Sequence, residues 1–230
     1  MKRLIIQFHA LLFSVTTLFA GEGLVKIAAG CMRAMPGHSS ELVSQAVMGT
    51  PLQLLDNENG WWLVETPEGY RGYMISTSIQ PVDSLAMHRW RESARVMFTA
   101  PYTGRIVSTD GRGIPVSDIH SGSVLEVSGY GTQDSIDVKL PDGRTGRLAS
   151  KSISPLGSMG LSDPDTDEII NMARSLMGVS YLWGGTTPAA MDFSGLSKIC
   201  YQNQVIILLR DANQQARTGK ILGTDYHEYQ

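Results

Sequence analysis

An internal repeat constrains this chain more than any other feature. Gly49-Thr50-Pro51-Leu52-Gln53-Leu54 stands 18 residues ahead of Pro67-Glu68-Gly69-Tyr70-Arg71-Gly72-Tyr73. Gly122-Ser123-Val124-Leu125-Glu126-Val127 stands 19 ahead of Pro141-Asp142-Gly143-Arg144-Thr145-Gly146-Arg147. Twelve residues past each proline comes an isoleucine, Ile79 or Ile153, preceded by a serine. Three landmarks in step predict two related modules. Their strands are short. Ile136, Val138 and Leu140 alternate with Ser135, Asp137 and Lys139, the period of a strand with one buried face. Pro-Glu-Gly and Pro-Asp-Gly mark tight hairpin turns, where glycine adopts positive φ at no steric cost. Trp61 and Trp62 are adjacent in a strand and so face opposite sides. The pattern predicts two small barrels, at residues 22–82 and 91–156.

Residues 1–20 read as a secretory signal peptide: Lys2 and Arg3, a largely apolar run from Leu4 to Phe19, then Ala20. The run is short for a spanning helix, and Gln7 and His9 interrupt it. The prediction is an exported protein, periplasmic or extracellular, with no membrane span after the leader is removed. Ala28-Ala29-Gly30-Cys31 looks like a lipid-attachment box, but Lys26 argues against that, and Cys31 fits a barrel strand. Of 19 basic residues, Lys2 and Arg3 leave with the leader, so 17 face 22 acidic ones. A mildly acidic chain without a basic run predicts no nucleic-acid partner. Cys31 and Cys200 are too few and too far apart for a disulfide framework and are expected as unpaired, buried thiols. His38, His88, His120 and His227 are scattered, and no zinc-type cluster exists, so no metal or cofactor is expected.

Past the second module, Leu156 to Ser162 reads as a linker. A helix follows, with Asp163 as its cap, Pro164 in its first turn, and Asp165, Asp167 and Glu168 opposing its dipole. Ile169, Ala173 and Leu176 share one face, and Gly178 ends it. Then come Tyr181-Leu182-Trp183-Gly184-Gly185-Thr186-Thr187-Pro188 and Met191-Asp192-Phe193-Ser194-Gly195-Leu196. A second helix is expected from Ser194, burying Leu196, Ile199 and Cys200.

Those two segments resemble the nucleophile region of the NlpC-type cell-wall cysteine peptidases: Tyr-x-Trp-Gly-Gly, a short turn, then Asp-Cys-Ser-Gly-Leu. Arg210-Asp211-Ala212-Asn213-Gln214-Gln215-Ala216 resembles the family's Leu-Pro-Arg-Asp-Ala-x-Gln-Gln-Ala, with Leu209 in place of the proline. Cys31-Met32-Arg33-Ala34-Met35-Pro36 resembles the opening strand of bacterial SH3-like modules. The resemblance implies an α+β chain: two small SH3-like β-barrels, then the N-terminal helical part of a papain-like NlpC-type domain over residues 163–230. It implies amide hydrolysis by a cysteine at a helix N-terminus with a histidine base, without metal or organic cofactor. The implied partners are peptidoglycan stem peptides, L-Ala-γ-D-Glu-diamino acid, cut after γ-D-glutamate.

Residue by residue, Asp192 and Ser194 match the positions flanking the nucleophile, and their implied role is to hold the substrate's α-amino group. Asp192 also suits a helix cap. Tyr181 matches a tyrosine near the site. Tyr70 and Tyr73 are candidates for the wall that the first barrel presents, and Tyr73 is counted with the site. Phe193 stands in the position of the cysteine, and a phenyl ring has no lone pair with which to attack a carbonyl. Nothing after Ala216 resembles the family's histidine strand, His-Val-Gly-Ile-Tyr. His227 follows, among polar and aromatic neighbours, and reads as a tail residue. The expectation is a C-terminally truncated, inactive homologue of these peptidases. The alternative is a non-catalytic protein that binds cell wall or stem peptide. The apolar helix faces between Asp163 and Gln215 are expected to lack a covering sheet, leaving the C-terminal third marginal.

Overall fold

The computed structural model describes residues 21–160 and 163–218. Residues 1–20, expected to be a leader, and His227 lie outside the described residues. The first module has seven strands: β1 Gly21–Val25, β2 Ala29–Arg33, β3 Leu42–Val47, β4 Pro51–Glu58, β5 Trp61–Glu65, β6 Arg71–Ile75 and β7 Ile79–Val82. Helix α1, Ser84–Glu92, leads to the second module: β8 Arg95–Phe98, β9 Gly104–Val107, β10 Pro115–Ile119, β11 Val124–Tyr130, β12 Ser135–Lys139, β13 Thr145–Ala149 and β14 Ile153–Pro155. Sheet order is β3-β2-β6-β5-β4-β1-β7 in the first and β10-β9-β13-β12-β11-β8-β14 in the second, with antiparallel pairing throughout. Adding seven to each strand number converts one order into the other. The repeat in the sequence is therefore a repeat of topology.

Each sheet curls around its own core. Val25, Met32, Ala46, Leu52, Leu54, Val64, Met74 and Ile79 fill the first, and every strand supplies at least one of them. Trp62 packs against this core, while Trp61 faces the other way and is covered by the edge of His38. The second core contains Val96, Phe98, Ile106, Ile119, Leu125, Val138 and Leu148, together with Met48 from the first module. Met48 sits in the β3–β4 turn and plugs the neighbouring core. Its carbonyl accepts the Val124 N–H at 3.0 Å. Gly49, at φ +80°, makes this approach possible, because a Cβ there would lie 1.8 Å from the Val124 carbonyl oxygen. Gly49→Ala is expected to cost roughly 3 kcal/mol by combining a positive φ with a backbone clash. Chemical denaturation checks this, and a loss below about 1 kcal/mol would show that the two modules do not depend on the latch.

Helix α1 is capped by Asp83, whose carboxylate accepts the Ala86 N–H at 2.6 Å. Arg89 and Arg91 in its last turn suit the negative end of the dipole. Met87 and Trp90 bury against Leu24.

The C-terminal part holds α2 Thr166–Ser175, a short hairpin of β15 Thr186–Thr187 and β16 Ala190–Met191, α3 Phe193–Gln202 and α4 Ala212–Gln215. The cap of α2 is Asp165 rather than Asp163: its carboxylate accepts the N–H groups of Asp167 and Glu168. Leu156–Ser158 is no free linker but a helical turn against β8, with Leu156 half-buried. Ile169, Ala173 and Leu176 pack on Leu196, Ile199 and Cys200, so α2 and α3 bury one another's apolar faces. Cys31 and Cys200 are both free, but Cys31 is only half-buried, since its strand turns it away from the core. No described helix is long and apolar enough to cross a membrane.

Helix α3 spans both modules. Near its start, Thr186 donates its N–H to the Gln45 side chain and its hydroxyl to the Gln45 carbonyl, both at 3.0 Å. At its end, Asn203 donates to the Thr99 carbonyl at 2.8 Å and accepts from Ser121 at 3.1 Å. Midway, Lys198 forms a buried ion pair with Glu68 of the first module. Other apolar side chains stay uncovered, among them Ile170, Met177, Leu182 and Phe193.

Candidate active site

The site is built on the start of α3. Asp192 is extended and caps the helix, its Oδ1 accepting the Gly195 N–H at 2.8 Å. Gly195 is required because a Cβ there would fall 2.2 Å from the Gly185 carbonyl oxygen. The Trp-Gly-Gly turn and the helix start are thus pressed together. Phe193 occupies the first turn, where exposed N–H groups and the helix dipole favour an anion. Its ring is 79% exposed and tilts against Tyr181, centroids 5.5 Å apart. Tyr181 and Trp183 are themselves more than half exposed.

Asp192 is fully engaged. Its Oδ1 also accepts from Ser194 Oγ at 3.2 Å and Arg210 Nη1 at 3.3 Å. Its Oδ2 accepts the Gly184 N–H at 3.0 Å and Arg210 Nη2 at 2.7 Å. Five donors meet a carboxylate with about four lone-pair sites. Ser194 Oγ gives its proton to Asp192 and accepts from Arg210 Nη1 at 2.8 Å. Arg210, 2% exposed, completes its fork by donating Nε to Ser44 Oγ of β3 at 3.1 Å. Gln215 fixes the same corner by donating to the carbonyls of Ser194 and Leu209. The structure thus brings Asp192 and Ser194 together, but with their hydrogen-bonding capacity taken up by Arg210 and the backbone.

Burial pushes the Asp192 carboxyl up, yet the Arg210 hydrogen bond, the Gly195 N–H, the Arg210 charge and the Gly184 N–H together hold it below the usual carboxylate range. A depressed folded value means stability that is present above the unfolded value, about 3.9, and lost as pH falls below it through the folded value. Acid unfolding is expected to steepen in that window, and Asp192→Asn is expected to flatten it. An unchanged acid limb in that variant would contradict the assignment.

Two other carboxylates border the exposed surface. Glu41 accepts the Trp183 indole N–H at 2.8 Å, and Asp211 accepts the Tyr70 hydroxyl at 3.4 Å. Burial, then the Asp211 charge, raises the Tyr70 pKa, so the phenol keeps its proton and donates it. Tyr73 is half-buried on β6, opposite Arg33 of β2, and Arg33 in turn pairs with Leu42 of β3. Two strand spacings, about 10 Å, separate Tyr73 from Leu42, whose carbonyl abuts Gly184. Tyr73 thus sits one short step from the Trp-Gly-Gly turn, whereas Tyr70 makes the direct bridge to the C-terminal part. Sequence reasoning missed Glu41 and the role of Arg210. Only the Arg-Asp-Ala motif pointed toward the latter.

Phe193 offers no nucleophilic atom at the helix start, and the Ser194 Oγ beside it is held between Asp192 and Arg210. Cys200 is buried and about 10 Å farther along the axis, with its thiol pKa pushed up by burial. Among the described histidines, His38 packs on Trp61, His88 lies on α1, and His120 is buried beside Thr103 in the second module. Among the described residues no cluster of three or more His, Cys, Asp or Glu is placed to hold a metal.

The Bacterial SH3 domain family matches residues 31–80, and the NlpC/P60 family matches residues 178–228. Dipeptidyl-peptidase 6 of Lysinibacillus sphaericus is 25% identical over 185 residues, covering 78% of this chain and 68% of that protein. The gamma-D-glutamyl-L-lysine dipeptidyl-peptidase of Bacillus cereus is 27% identical over 199 residues, covering 79% of this chain but 56% of that protein. A solved NlpC/P60 family protein from Bacillus cereus shares the fold with a TM-score of 0.77 at 18% identity, covering 90% of this chain and 79% of that one. An NlpC/P60 endopeptidase from Photobacterium damselae gives 0.63 at 19% identity, over 86% and 46%. The chain therefore joins a segment similar to the Bacterial SH3 domain family and a segment similar to the NlpC/P60 family in one α+β architecture, and the relatives it resembles are a dipeptidyl-peptidase and a gamma-D-glutamyl-L-lysine dipeptidyl-peptidase.

Proposed function

We propose that this protein is an exported homologue of the murein-peptide peptidases that binds stem peptide at the start of α3 and does not cut it. One observation carries the reading: an exposed phenyl ring, Phe193, occupies the helix turn where covalent catalysis needs sulfur. The surface around it remains suited to recognition. Tyr181, Trp183 and Phe193 offer exposed aromatic faces, and Glu41 and Asp211 offer negative charge.

The ammonium of an L-Ala-γ-D-Glu-diamino acid peptide needs a carboxylate with a free lone pair. Asp192 has none to spare, so Asp192 and Ser194 form the frame of the site. Among the described residues Glu41 accepts one side-chain hydrogen bond, from Trp183, whereas Asp211 accepts from Tyr70 and, as the cap of α4, from the Gln214 N–H, which leaves Glu41 the freer for charge-assisted contacts. Tyr73 and Tyr181 complete the wall. Location in the periplasm or outside the cell accords with the cell-wall role of the family.

Calorimetric titration with L-Ala-γ-D-Glu-diaminopimelate tests the reading. Binding is expected, and N-acetylation of the peptide is expected to weaken it at least tenfold. Equal affinity for the acetylated peptide, or no heat at all, would contradict it.

A further inference from the structure

A cavity of 340 Å³ lies where the three parts of the chain meet. Val47 comes from the first sheet, Met97 and Val124 from the second, Trp90 from α1, and Ile207 from the segment after α3. The volume is within the range of about 300–1,000 Å³ of small-molecule sites. None of Tyr181, Trp183 and Phe193 lines the cavity, although Thr186 and Gln45, joined ahead of α3, form one edge of it. Lys198 and Gln202, which line it, lie about 7 and 13 Å farther along the α3 axis than Phe193.

The wall is mainly apolar, and three cations border it: Arg91, Arg95 and Lys198. Two already have counter-ions. Lys198 pairs with Glu68, and Arg91 pairs with Glu22 at 2.8 Å. Arg95 forms no ion pair among the described residues. Its Nη2 donates to the Arg91 carbonyl at 2.7 Å, its Nε is buried without an acceptor, and its guanidinium lies over the Trp90 ring, Cζ 4.5 Å from the centroid. Partial burial lowers its pKa, against the opposing pull of the Glu92 charge. An unpaired cation beside an apolar wall is complementary to a single negative charge on an apolar body. A neutral hydrocarbon leaves Arg95 unpaired, and a second negative charge meets Glu68.

We propose that this cavity binds a small amphipathic carboxylate, with its headgroup at Arg95 and its hydrocarbon against Met97, Val124 and Val47. Both sheets, α1 and the C-terminal segment line the site, so an occupant ties all three parts together and stabilises the folded chain by mass action.

The test uses the full chain with decanoate as probe and decanol as its uncharged counterpart, followed by calorimetry and thermal unfolding. Decanoate is expected to bind and raise Tm below its micelle-forming concentration, and decanol is expected to bind at least tenfold more weakly. Arg95→Gln should weaken decanoate at least tenfold and leave decanol unchanged, while Arg95→Lys, which keeps the charge, should hold decanoate within about threefold. Ile207→Trp, which enlarges a lining side chain, should weaken both. Absence of decanoate binding, equal affinity for the alcohol, or decanoate affinity indifferent to both Arg95→Gln and Ile207→Trp would overturn the proposal. Neither stem-peptide binding nor its absence bears on this outcome, because the two surfaces lie at different places on α3.

Discussion

Arg210→Met is expected to destabilise the folded protein by about 3 to 5 kcal/mol, the usual cost of stranding one member of a buried ion pair. The guanidinium is 2% exposed and serves Asp192, Ser194 and Ser44 together. Removing it leaves a carboxylate 11% exposed with only backbone N–H groups and one hydroxyl around it. Against a total stability of about 5 to 15 kcal/mol, that is a large fraction. The effect should concentrate in the C-terminal part, because Arg210 bridges α3 to β3. The double variant Arg210→Met with Asp192→Asn should recover part of the loss, since the stranded charge is then gone. Denaturant unfolding of the four proteins checks both statements. A loss under about 1 kcal/mol for Arg210→Met would mean that the fork is incidental to the fold.

The second large effect is a negative one. Phe193→Cys places a thiol at the start of α3, where the dipole and the exposed N–H groups favour the thiolate. Hydrolysis of the stem peptide is nonetheless expected to stay at background. A thiolate attack still requires a proton donor for the leaving amine, a step worth about 10²- to 10⁴-fold. His38 packs on Trp61, His120 bonds Thr103, and His88 lies exposed on α1, so none of the three is placed at the start of α3. The thiol itself should be titratable and should react with iodoacetamide faster than Cys200, which burial keeps protonated. Fast alkylation without peptide turnover is the predicted signature. Turnover by this variant would show that a base reaches the site, with His227 the first to test by substitution.

Much of the fold was written in local signals. The Pro-Glu-Gly and Pro-Asp-Gly turns, the period-two runs and the serine–isoleucine landmarks act within a few residues of one another, so the duplicated sheet topology could be inferred from them. Helical spacing gave Ile169, Ala173 and Leu176 one face and Leu196, Ile199 and Cys200 another, but these faces were expected to lack cover, and their burial against one another could not be read from spacing alone. Signals that depend on distant chain segments were not readable. The cap of α2 falls on Asp165, because the chain enters the helix two residues later than Asp163 and Pro164 suggest, with the Asp165 N–H received by Gln204. Leu156 looked like linker because its glycine and serine neighbours are polar and small, yet it packs where the modules meet. Met48 reads as one more apolar residue near a turn, and only the juxtaposition of two sheets makes it a plug.

The candidate site divides in the same way. Asp192, Phe193 and Ser194 could be named from adjacent residues, and so could the absence of sulfur. Their chemistry could not, because the donor that saturates Asp192 arrives from 18 residues downstream. Glu41 carried no local mark at all. It matters only because the Trp183 indole, from the far end of the chain, reaches it.

The most direct test of the account follows the unmodified protein through one incubation with L-Ala-γ-D-Glu-diaminopimelate, measuring heat of binding and, by mass spectrometry, the peptide and the protein afterwards. Saturable heat with intact tripeptide and unmodified protein is the predicted result. Free L-Ala-γ-D-Glu, or a protein carrying that dipeptide as an acyl group, would contradict it.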